Sequence, residues 1–229
     1  MTARTALLPQ LWIVLSRIVL SRAFGLLLTL ALLVGPISLA PRDAAAQIES
    51  SDATFLEALQ AVKDKNYSHA VKLFSVQADN NQHDAQFNLA VLLEAGKGAP
   101  QDYATALTWA WTAQLGGIEA AEDLADDLAG MLPEKPTENV RVAVAKRLKT
   151  RINNGDAEAV PQFAQYHLLM LEEPDYEMAY IWYSIAAALN LEGAMIARDD
   201  ARDNLADENI IELQAKAGTI YEGLTFNLD

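Results

Sequence analysis

From residue 52 onward, apolar residues return every three or four positions, with polar residues between them. In 103–113 the series is Tyr103, Ala106, Leu107, Ala110 and Ala113, which lie on one face of a helix. Read this way, the pattern predicts helices near 52–64, 67–79, 83–95, 102–115, 118–130, 138–153, 157–172, 175–189, 191–204 and 207–223. The chain's 11 glycines and 8 prolines fall at the breaks between these segments, which suits an all-α protein. "NNGD" (153–156), a glycine stop followed by an aspartate cap, divides the chain most clearly.

The pattern also repeats itself. With an offset of 73 residues, Asp102 and Tyr103 fall on Asp175 and Tyr176, Ala106 on Ala179, Trp109 on Trp182, and Ala113 on Ala186. Upstream, "AQFNL" (85–89) matches "AQYHL" (164–168) once the second loop is shortened by six residues. "ENVRVAVAK" (138–146) matches "ENIIELQAK" (208–216) after a three-residue adjustment. A partial earlier copy puts Tyr67 over Tyr103 and Ala70 over Ala106. Alanines at fixed positions let helices approach closely. A helix pair with one apolar face cannot bury it alone, so each pair must lean on the next. The loop "EAGKGAPQDY" (94–103) is the most specific element. Gly96 and Gly98 can adopt positive φ and close a helix, Pro100 cannot continue it, and Asp102 can cap the next one. The later copy, "LEEPDY" (171–176), lacks both glycines, so its turn is expected to have a different shape.

The residues Ala85, Gln86, Phe87, Asn88, Leu89, Gly96, Gly98, Asp102, Tyr103, Ala106, Trp109 and Ala113 resemble the Sel1-like repeat, a relative of the tetratricopeptide repeat. The resemblance covers roughly 55–220. It implies a right-handed α-solenoid of stacked antiparallel helix pairs that binds other proteins. Repeats are expected near 52–86, 84–121 and 157–194, with extra helices near 118–153 and 191–223. The segment 122–155 fits the short repeat poorly and is a candidate interruption of the superhelix. Envelope roles known for such proteins include control of membrane signalling proteins and assembly of polysaccharide or cell-wall machinery.

Residues 1–46 are of another kind. Arg4, Arg17, Arg22 and Arg42 stand against one acid, Asp43, and "AFGLLLTLALLVG" (23–35) is apolar and uncharged. Basic, apolar and then small residues describe an export signal, with cleavage expected before Gln47 because Ala44 and Ala46 satisfy a small-x-small rule. The apolar run is shorter than the roughly 20 residues that span a bilayer. The alternative is an uncleaved anchor facing the periplasm. Either way the expected location of residues 47–229 is the periplasm.

Composition narrows the function. Lys and Arg number 17 against 31 acids, a net charge of −14, and residues 47–229 alone carry −17. That charge repels nucleic acid and anionic headgroups, and it favours basic protein partners, while the resemblance to Sel1-like proteins implies membrane-associated ones. The chain has no cysteine, which excludes thiol catalysis and cysteine-ligated metals. His69, His83 and His167 share no ligand spacing, so no metal and no cofactor is expected. His69 and His83 are expected on solvated faces. Glu122, Asp123, Asp126, Asp127 and Asp199, Asp200, Asp203, Asp207 form acid clusters that read as solvated helix faces. No phosphate loop or nucleophile elbow occurs, so no catalytic residue is assigned. A cell-wall hydrolase using paired carboxylates is the remaining enzymatic alternative.

Trp109 and Trp182 occupy matching positions and are expected in the core. The counterpart of Trp111 is Ser184, so the repeat does not demand a ring there. At helical geometry Trp111 is turned roughly 200° from Trp109. It is therefore expected on a binding face, where tryptophan is often an anchor. Gln86, Asn88, Gln165 and His167 are expected to line the partner-facing groove. The leader is directly testable: N-terminal sequencing of the exported protein should begin at Gln47, whereas an anchored protein keeps its leader.

Overall fold

The computed structural model describes residues 49–227, and the expected leader lies outside them. The described residues are all-helical. The helices are α1 Asp52–Lys63, α2 Tyr67–Asp79, α3 His83–Glu94, α4 Tyr103–Leu115, α5 Ala120–Met131, α6 Glu134–Asn153, α7 Ala159–Leu169, α8 Tyr176–Ala188, α9 Ala194–Arg202 and α10 Ile210–Glu222. A 3-10 turn, Asp207–Asn209, leads into α10. No described helix is long and apolar enough to cross a membrane.

Local chemistry sets three helix starts and six helix ends. Ser51, Asp102 and Asp175 are N-caps whose side-chain oxygens accept from the N–H of Thr54, Thr105 and Met178. The helix ends share one device. Lys65, Asn81, Gly96, Gly117, Gly155 and Asn190 all have positive φ. After each, the next N–H donates to a carbonyl five residues back: Asn66 to Ala61, Gln82 to Gln77, Lys97 to Leu92, Ile118 to Ala113, Asp156 to Arg151 and Leu191 to Ala186, at 2.8–3.1 Å. This closure satisfies carbonyls that a bare helix end leaves orphaned, and it turns the chain back on itself. This device closes α1, α2, α3, α4, α6 and α8, whereas α5 ends at the extended Leu132 and α7 at Met170 without it.

Four expected boundaries move by three residues or more: the starts of α6, α9 and α10 and the end of α7. Helix α6 starts at Glu134 rather than 138, because Pro136 sits in its first turn, where the missing N–H has no intrahelical partner to lose. Helix α7 stops at Leu169, although the position matching Glu94 is Glu173. The shortened second copy thus loses the last turn of its first helix as well as part of the loop. The aspartate cap is nevertheless docked on the preceding helix in both copies, Asp102 N–H to Leu93 O and Asp175 N–H to His167 O. At the "NNGD" corner, Asp156 accepts from the Glu158 N–H and from Arg151.

Neighbouring helices pack in chain order, and two helices act as hubs. Helix α4 packs on α3, α5, α6 and α7, while α8 packs on α7, α9 and α10. The contacts α3–α4, α4–α5 and α4–α6 are thus repeated as α7–α8, α8–α9 and α8–α10. The segment 122–155, expected as an interruption, consists of α5 and α6, and these stand to α4 as α9 and α10 stand to α8. The repeating unit is four helices, α3–α6 and then α7–α10, in an α-solenoid that opens with the α1–α2 pair. Ala85 and Ala164, Ala106 and Ala179, and Ala113 and Ala186 are fully buried in both copies. Their methyl groups permit the close helix approach.

Gly98 has a separate duty. A Cβ there would lie 2.3 Å from the Tyr67 carbonyl oxygen, so the loop rests directly on the start of α2. Gly117 has the same kind of positive φ but open space around it. Gly117→Ala should cost about 1–2 kcal/mol in urea unfolding, the usual cost of a left-handed L-residue. Gly98→Ala should cost clearly more, because backbone must move.

Candidate partner-binding groove

Helices α3 and α7 begin the two four-helix units, and their first turns meet. The 79-residue register that matches Ala85 to Ala164 also matches His83 to Gln162. These equivalent residues touch: Gln162 Nε2 lies 3.2 Å from His83 Nε2. They belong to a chain of hydrogen bonds whose direction is fixed by Arg151, which can only donate. Arg151 donates from Nε to Asp156 at 2.8 Å and from Nη1 to Gln162 Oε1. Gln162 Nε2 must then donate to His83 Nε2, which leaves His83 Nδ1 to donate to Gln86 Oε1 at 2.8 Å. Gln86 Nε2 donates to Ala78 O, the carbonyl that also accepts from Arg147 at 2.7 Å. Arg147 reaches Asp79 O and Asn81 as well, and its guanidinium stacks 4.8 Å above the Trp109 ring. One polar chain thus ties α2, α3, α6 and α7 together.

Beside this chain an open groove of about 520 Å³ runs between the units. His83, Gln162 and Gln165 supply polar atoms, Leu115, Pro161, Tyr183 and Leu191 supply apolar wall, and Glu158 and Glu192 supply negative charge. Gly116 is needed here for space, since a Cβ would fall 2.1 Å from the His83 ring. Among the described residues the Gln165 amide makes no hydrogen bond, so it is available to a ligand's backbone.

The expected partner-facing residues are divided by the structure. Gln165 lines the groove. Asn88 is half-buried and donates to Asp84 O in its own helix. Gln86 is corrected: it is wholly buried and spends its amide on the polar chain. Trp111 is also corrected: only 7% exposed, it belongs to the core, because four neighbouring helices pack on α4 and its side of the helix is covered. His83 is half-buried at the edge of the open groove with both ring nitrogens hydrogen-bonded, and His69 is half-exposed and pairs with Glu57 at 2.8 Å. Of the two matched tryptophans, Trp182 is buried and Trp109 is partly buried beneath Arg147. His83 and Gln162, the residues that join the units, were legible as polar residues at matching repeat positions. Among the described residues no cluster of three or more His, Asp or Glu could hold a metal ion.

His167 lies apart from the groove. Its ring packs edge-on to Phe163 at 4.8 Å and Tyr166 at 5.4 Å, and neither nitrogen has a hydrogen-bond partner among the described residues. Burial lowers its pKa below the ordinary 6.5, opposed by Asp175 and assisted by Lys149. The folded chain therefore takes up this proton at lower pH than the unfolded chain does. Its contribution to stability is fully present above pH 6.5 and is lost as pH falls from there through the lowered folded value. His167→Asn, which installs the residue of the first copy, should flatten the decline in urea midpoint between pH 7.5 and 5.

Comparison with known proteins supports the repeat. Residues 83–110 and 163–191 each match the family model of the Sel1 repeat, one in each four-helix unit. Curated proteins give no match.

Proposed function

We propose that this chain, which carries two Sel1 repeats in a fold of the protein–protein interaction kind, is a non-enzymatic scaffold of the bacterial cell envelope. Sel1 repeats generally mediate contacts between proteins. The observation that carries the reading is the groove between the two repeats, built on a rigid polar chain and edged by Glu158 and Glu192. Such a site suits a segment of a basic partner protein. The Gln165 amide can meet the peptide backbone, Tyr183 and Leu115 offer apolar contact, and the acids favour Lys or Arg. The excess of acids over the whole chain would speed encounter with such a partner. The leader-like composition of residues 1–46 supports a periplasmic location.

Affinity capture from envelope extracts tests the proposal. The full chain should retain a partner whose recovery falls with added salt. It should fall at least fivefold in Glu158→Lys/Glu192→Lys, a change confined to exposed rim positions. Equal capture by wild type and variant would exclude this groove as the binding site.

A further inference from the structure

The positive charge of this acidic chain is gathered in one place. Residues 47–229 carry −17, yet α6 holds six Lys and Arg against Glu134 and Glu138. Three of the six, Lys146, Arg147 and Arg151, line an open cavity of about 480 Å³ between α6 and the end of α2. Asp79 is the one acid in that lining, and Asn154 adds a side-chain amide. None of these residues lines the partner groove.

Structural duties use only part of the donors here. Arg147 gives Nη2 to Ala78 O, Asp79 O and Asn81 Oδ1, which closes the end of α2. Its Nη1 lies 3.6 Å from the Asp79 carboxylate, too far for a hydrogen bond, and its Nε has no hydrogen-bond partner among the described residues. Arg151 gives Nε to Asp156 and Nη1 to Gln162. Lys146 and Asn154 are exposed. Among the described residues, Arg151 Nη2, the Lys146 ammonium and the Asn154 side-chain amide make no hydrogen bond.

The charges of the cavity are unbalanced. Burial lowers the pKa of Arg147; Asp79 opposes that shift and the neighbouring Arg151 charge adds to it. The Asp79 side chain is 67% exposed, so water screens its pull. Asp156 is spent on Arg151 Nε and stands outside the lining. Three cations against one carboxylate leave an excess of two positive charges on the wall. Guanidinium edges beside an ammonium are the groups that hold phosphate oxygens, through charge-assisted hydrogen bonds.

We infer that this cavity is a binding site for a divalent phosphate group, held by Lys146, Arg151 Nη2 and the Nη1 edge of Arg147, with the Asn154 amide donating to one of its oxygens. Two negative charges match the excess, whereas a lone carboxylate leaves one cation unmatched. The open wall admits free phosphate or a phosphate ester of a soluble molecule. This site is independent of the scaffold reading, which stands or falls with the groove.

The test is isothermal titration calorimetry of the full chain with inorganic phosphate and with glycerol phosphate, at neutral pH and constant ionic strength. Saturable binding at one site is expected. Tighter binding of the ester identifies an ester as the source, and equal or tighter binding of phosphate identifies the free ion. Lys146→Glu should weaken binding at least tenfold and Asn154→Asp at least fivefold. Both positions are exposed, and circular dichroism should show the helical fold retained. Lys135→Glu makes the same charge change near the other end of α6 and should alter affinity less than twofold. Absence of saturable phosphate binding, full affinity in either cavity variant, or a loss in Lys135→Glu as large as in Lys146→Glu would overturn the inference. So would preference for a Glu-rich peptide or for phosphatidylglycerol vesicles over both phosphates, since the occupant would then be an acidic protein segment or a membrane.

Discussion

Fully buried alanines at matched positions set the distance between helices, and the remaining features of this fold follow from that distance. With a methyl group at Ala85, Ala106 and Ala113, and again at Ala164, Ala179 and Ala186, neighbouring backbones come close enough that large side chains have room only at the edges of each contact. Trp111, Phe163 and Ile181 are buried between the helices. No helix pair in such an arrangement has a core of its own. Its apolar side exists as a buried surface only when the next pair is present, as expected for a stack of repeats.

Close packing also explains why the polar side chains at the boundary between the units are linked into one chain. Each buried amide or guanidinium must find partners, because an unsatisfied one costs about 1–3 kcal/mol. Arg151, Gln162, His83 and Gln86 meet that demand across the boundary between units, and Arg147 meets it for the end of α2. Apolar contacts tolerate sliding. A directed series of donors and acceptors does not, so this series fixes how one unit is placed on the next and keeps the adjacent groove in shape.

Much of this was legible in the sequence, for a physical reason. Helix starts depend on a single carboxylate, as at Asp102 and Asp175, and helix ends on a residue that tolerates positive φ, as at Gly96 and Gly155. Those are local decisions. The matching positions that define the repeat are local too. Exposure is not. Trp111 points away from Trp109, which on a helix with one covered side would leave it in solvent, but α4 is covered by four helices. Gln86 reads as a groove residue until the Ala78 carbonyl and His83 claim its amide. The poor fit of 122–155 to the short repeat was real, yet α5 and α6 are half of a longer unit that only the contacts of α9 and α10 reveal.

The last described residues do not trail away from the stack. Asn227 donates from its backbone N–H to Gly155 O at 2.9 Å and from its side chain to Asn154 O. Gly155 has no side chain because Asn227 and Thr225 occupy that space. The second four-helix unit therefore begins and finishes at one corner of the molecule. A module whose two ends coincide can be duplicated in tandem, spliced elsewhere or deleted with little strain on what surrounds it, and that geometry gives this chain a simple route by which its own copies could have arisen.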